Sequence, residues 1–212
     1  IAQQGEMSSD QQYDITRRQI EREGRLERAL KAWPAAQQLL EAKSYESAIK
    51  KYKIISLLVP DLATSHCKLA LAYLSNGDYN SAAMSVDDAL ALDAEAADLN
   101  YLKGQVLLLQ ANSQDACKYF DKVLEKVQNR IDANLGKAIC SEDSGLLKDA
   151  ITYYEKVIRL LPRVAHENGN IDMKPMKLVA IVGMGSVNCK RENWEKASRY
   201  FDSALQLMPQ SS

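Results

Sequence analysis

Few residues in this 212-residue chain have the chemistry of a reaction centre, and their spacing argues against one. The histidines are His66 and His166. His166 precedes Glu167 and Asp172, types that could begin a metal site or an acid–base pair, but a lone histidine in a stretch rich in glycine and asparagine is expected to stand idle in solvent. Cys67, Cys117, Cys140 and Cys189 never fall at the C-x-x-C spacing of a zinc frame or a redox motif. They read as buried free thiols that pack as small hydrophobes, which points to a reducing compartment. Gly183-Met184-Gly185 has the look of a phosphate-loop fragment, yet no strand precedes it and the remaining glycines are missing. No nucleophile motif is present either. The expectation is a protein that is not an enzyme, with no catalytic residue, cofactor or metal.

The elements that would have to position any such residues follow a single period. Ala48, Ala82, Ala116 and Ala150 are each 34 residues apart, and Tyr52, Val86, Phe120 and Tyr154 keep the same step. Pro60 and Pro162 lie three such steps apart. A further copy, with Ala197, Phe201, Ala204 and Pro209, begins 47 residues after Ala150, one period plus 13 residues. A fixed period of this size marks a stacked array in which no unit can bury its apolar face alone.

Counted from Ala29 as position 1, position 8 is small in every copy (Ala36, Ala70, Gly104, Ala138, Gly185), position 20 is Ala and position 24 is aromatic or Val. This register resembles the tetratricopeptide repeat, a helix-turn-helix unit. The Trp of that family's position 4 is absent, and Lys103 and Lys137 stand at position 7 where the family prefers Leu. The resemblance covers about residues 29–209 and implies an all-α, right-handed superhelical solenoid of five repeats. A polar tail and charged helix over 1–28 would precede an array over 29–212, with repeats at about 29–62, 63–96, 97–130, 131–162 and 178–209 and an insertion at 163–175.

Charge and hydropathy restrict the partners. A net charge of −1 offers no basic field for nucleic acid, and no apolar run is long enough for membrane insertion. No basic-then-apolar leader opens the chain, and a cytoplasmic location is expected. Ser9 and Asp10 are candidate caps for a helix in which five arginines from Arg17 to Arg28 alternate with glutamates. Pro34 should break or kink that helix, Ser44 should cap the next and Pro60 end it, and Pro162 should act as a stop. Asn76-Gly77-Asp78, Ala111-Asn112 and Ser144-Gly145 read as turns, with Asp132 and Asp143 as cap and turn residues. Arg163–Pro175 reads as a loop.

In proteins that look like this, the first helix of each pair lines a concave face through positions 2, 5, 9, 12 and 13. Here those positions are mostly apolar, and the peptide-binding candidates are Trp33, Gln37, Leu71, Tyr101, Gln105, Leu108, Ile139 and Glu142. Asp98, Asp132, Glu142 and Asp143 border them, so the expected partner is an amphipathic peptide or helix with basic flanks. The function implied is an adaptor, co-chaperone or assembly factor. The alternative is an architectural segment of a larger or self-associating complex. Tetratricopeptide domains that clamp acidic chaperone tails share a Lys and Asn set, which Trp33, Gln37, Lys68, Asp98 and Leu102 do not supply. At the other end Tyr200, Phe201 and Leu205 have no capping helix after them, so this end is expected to continue into a longer protein or to self-associate.

Overall fold

The computed structural model describes residues 9–167 and 172–208, with side chains for 14–163 and 172–208. The polar tail before Ser9, the side chains of His166 and Glu167, and Pro209 lie outside these residues. Among the described residues the regular structure is helical: α1 (Ser9–Glu41), α2 (Tyr45–Leu58), α3 (Ala63–Ser75), α4 (Tyr79–Leu92), α5 (Ala97–Leu109), α6 (Ser113–Lys126), α7 (Ile131–Asp143), α8 (Leu147–Glu167), α9 (Lys174–Lys190) and α10 (Trp194–Leu207). The helices fall into two compact units, Ile1–Asp93 with α1 to α4 and Ala94–Ser212 with α5 to α10. Within each unit every helix packs on its neighbours in sequence, and in the second unit α7 also touches α5 and α9.

The period works through size matching. Every position-20 alanine is buried, as are Tyr52, Val86, Phe120 and Tyr154 at position 24. In the second unit Phe120 lies so close to Gly104 and Gly136 that a Cβ on either would fall within 3.0 Å of its ring, and Tyr154 meets Gly183 in the same way. A small residue on one helix thus makes room for the aromatic of an adjacent helix, and a methyl group there would force a shift in a close-packed core.

The hairpin turns repeat as faithfully as the core. Lys43, Gly77, Ala111, Gly145 and Glu192 all have positive φ, between 58° and 81°. Each follows the end of a first helix, where the left-handed conformation lets the next amides reach back to the last carbonyls, as Ser44 N–H does to Leu39 O at 2.8 Å. Only two of these five sites carry the glycine that suits them. Asp78 and Asn112 then cap α4 and α6 by accepting from the amides of Ser81 and Asp115, while Ser44 precedes α2 without a side-chain cap bond.

Neither of two prolines ends its helix. α1 runs through Pro34 and α8 through Pro162 as far as Glu167, so most of the expected loop at 163–175 is helix, α9 having begun by Lys174. Both prolines are exposed, and Leu30, four residues before Pro34, is exposed as well. Water can bind the carbonyl that Pro34 deprives of its amide partner.

Candidate binding surface

His66, the histidine whose side chain is described, is occupied with structure. His66 Nε2 lies 3.0 Å from Pro60 O. It stands at position 4 of its repeat, and Asn100 and Asn134 at the same position each donate to a carbonyl six residues back, Ala94 O at 3.0 Å and Gln128 O at 3.1 Å. A polar side chain that clasps the loop from the preceding repeat therefore replaces the absent Trp. Lys137, the unusual position-7 residue, reaches Asp121 at 2.6 Å and ties α7 to α6. Among the described residues no three His, Cys, Asp or Glu side chains converge as a metal site would require.

The expectation of four free thiols fails for two of them. Cys117 on α6 and Cys140 on α7 form a disulfide, with Cα atoms 5.6 Å apart. Their separation of 23 residues matches no motif, and it is the packing of one repeat on the next that brings them together. The thiol argument for a reducing compartment falls with it. Cys67 and Cys189 are half-buried and take no part in that bond.

In the second unit the candidate strip runs over α5, α7 and α9. Tyr101, Gln105, Leu108 and Ile139 are half-buried, whereas Leu109, Val179 and Val182, at groove positions on the same helices, are 51%, 45% and 42% exposed. Tyr101 is held on several sides. Phe120 packs beside it at 5.9 Å between ring centroids, the Arg130 guanidinium lies over its ring at 4.6 Å, and Gln105 Nε2 donates to its hydroxyl at 2.9 Å. Burial, reinforced by the nearby Asp132 carboxylate, pushes its pKa up to about 12 against the opposing pull of Arg130 and Gln105. With one face under a guanidinium, Tyr101 is a supported wall of the strip and less an open anchor.

The acidic border is largely engaged. Arg130 pairs with both Asp98 and Asp132, and Asp143 accepts from Ser113 Oγ at 3.2 Å. Glu142, whose side chain is only 10% exposed, accepts from Tyr154 Oη at 2.9 Å, from Lys190 Nζ at 2.9 Å and from Ser186 Oγ. It is thus a junction between α7, α8 and α9, where the sequence suggested an open ligand contact. Burial, and then the Glu142 charge and hydrogen bond, hold the Tyr154 phenol protonated well above its ordinary range. Charge balance around the strip is four carboxylates against the cations Arg130 and Lys190.

In the first unit, half-buried Trp33 meets Tyr52 edge to face at 5.9 Å, Gln37 is exposed and donates to Glu41 at 3.0 Å, and Leu71 is half-buried on α3.

A family model described as Tetratricopeptide repeat matches residues 67–131, across the middle of this helical series. That stretch is a tetratricopeptide match, and the helices on either side of it keep the same paired arrangement. A MamA fragment (41-end) from Desulfovibrio magneticus RS-1 is 19% identical with a TM-score of 0.73, over 84% of this chain and 94% of that one. YrrB, described as a TPR protein with an unusual peptide-binding site, is 23% identical with a TM-score of 0.64, over 82% and 84%. PilF from Pseudomonas aeruginosa is 20% identical with a TM-score of 0.68, over 89% and 80%. No curated protein matches the chain in sequence. Identities this low speak for the tetratricopeptide fold alone. No described helix is long and apolar enough to cross a membrane.

One residue that shapes the strip, Arg130, escaped the sequence reading, while Ser186 and Lys190 were legible as groove positions of the last repeat but not as partners of Glu142. Arg130 carried a signal in its proximity to Asp132, since a cation two residues before a helix-opening carboxylate can fork onto it. The pairing of Lys190 and Ser186 with Glu142 carried none, because the partners are more than 40 residues apart.

Proposed function

We propose that this tetratricopeptide protein is a protein-interaction module that holds an amphipathic segment of a partner along α5, α7 and α9. The observation that carries the reading is the exposure of Leu109, Val179 and Val182 at groove positions of helices whose other large apolar side chains are buried or half-buried. Leu108 and Ile139, half-buried beside them, supply the shaped apolar floor on which binding energy concentrates. YrrB lends support as a tetratricopeptide protein with a peptide-binding site. The partner's flanks are basic, though weakly so, because Arg130 and Lys190 offset part of the acidic border; the charges set orientation and on-rate more than affinity. In the first unit, taken by itself, Trp33, Gln37 and Leu71 are the candidate contacts.

Helical peptides selected by display against the folded chain provide the test. Val182→Glu and Ile139→Glu should each weaken capture by about 2 kcal/mol or more. Retention of capture by both variants, with melting unchanged, refutes the reading. A second reading, an architectural segment of a larger complex, is favoured by a different observation, the exposed outer face of α10.

A further inference from the structure

α10 repeats the docking face of α6. Both carry Tyr-Phe-Asp at the same repeat positions, Tyr119-Phe120-Asp121 in α6 and Tyr200-Phe201-Asp202 in α10. On α6 this face is filled by α7. Phe120 sits against Gly136, where a Cβ would come within 2.4 Å of its ring, and Asp121 receives Lys137 at 2.6 Å. Ala133 and Cys140 complete the same side of α7, at −3 and +4 from the glycine, and both are fully buried. The α8 and α9 junction uses the same arrangement, with Ala180, Gly183 and Val187 set against Tyr154. On α10 the equivalent side is bare. Phe201 is 36% exposed where Phe120 is 0%, Trp194 and Leu205 are 65% and 66% exposed, and Asp202 is exposed beside them.

We infer that α10 is a docking face for a helix of another protein that carries Ala-x-x-Gly-Lys on one side, the glycine seated on Phe201 and the lysine on Asp202. The template is α7 itself, whose Ala133, Gly136 and Lys137 satisfy a face with the same residues. A second copy does not fit by its first helix. The corresponding positions of α1 are Lys31, Pro34, Ala35 and Gln38, all exposed, with proline where the glycine belongs and alanine where the lysine belongs. The inference rests on the architectural reading and is independent of the strip on α5, α7 and α9.

The probe is a fluorescent peptide with the sequence of residues 131–143, Cys140 replaced by Ser, and a covalent staple on its outer side so that it is helical before binding. Its anisotropy is followed against the full chain, whose mass is measured over the same concentrations. Saturable binding is expected. It should weaken at least about tenfold with Leu205→Glu, with Asp202→Lys, or with leucine in place of the peptide's glycine. Asp202→Lys should regain affinity for a peptide in which the lysine is Glu. Equal binding of the glycine and leucine peptides overturns the inference. So does a dimer that Leu205→Glu disperses and the peptide leaves intact, although α10 then remains a joint. A monomer at every concentration that ignores the peptide overturns both the inference and the architectural reading.

Discussion

Removal of the Cys117–Cys140 bond should destabilise the second unit more than any other change of a few atoms. The bond closes a segment of 23 residues that spans the turn between α6 and α7. A closed loop of this size restricts the unfolded chain by about 3 kcal/mol at 25 °C. The folded side adds little, since Cys117 is only 7% exposed, Cys140 is wholly buried and alanines in their places leave small voids. The assay compares the oxidised protein with the Cys117→Ala, Cys140→Ala double variant in urea and on heating. Both carry Trp33→Phe, so that Trp194 on α10 reports the second unit. The double variant should melt lower by about 10 °C. Dithiothreitol should leave the native protein slow to react, because attack on a buried sulfur requires opening of the α6 and α7 junction first. An unchanged midpoint, or alkylation of both thiols on unfolding without reductant, refutes the reasoning.

Ala111→Gly relieves a side chain held at φ 58° and should raise stability by about 0.5–1 kcal/mol in urea titration, whereas Gly145→Ala should lower it by a similar amount or more. Tyr101 titrates near 12 in the fold against about 10 in the unfolded chain, so its contribution is complete below pH 10 and lost as pH rises towards 12; Tyr154 is shifted in the same direction. Urea midpoints should therefore fall between pH 10 and 12, and Tyr101→Phe should flatten that fall. An acidic peptide that mimics a chaperone tail should show no binding by calorimetry. The second unit would present it with Asp98, 85% exposed, where paired cationic donors are needed.

The hydrophobic period is a local property of the chain, and it determined the helices, their pairing and their packing residues. A small residue every 34 positions and an aromatic or Val four after each position-20 alanine are conditions that adjacent helices impose on one another, so they are legible without coordinates. The left-handed turn at positions 43, 77, 111, 145 and 192 was half legible, at the two glycines, since Lys43, Ala111 and Glu192 hide the same backbone under side chains that ordinarily avoid it. Pro162 misled as a stop, and Pro34 leaves α1 unbroken, because a proline's cost depends on whether solvent reaches the orphaned carbonyl, and exposure is a tertiary fact. The roles of polar side chains were decided by the fold alone. His66 became a loop clasp, Glu142 a junction of three helices, and Cys117 and Cys140 a bond, each through a partner whose distance depends on how the chain folds back and packs. Repetition records which residues must be small or apolar, but a hydrogen bond or a disulfide forms within an ångström or so, and only the stacking of one repeat on another sets that distance.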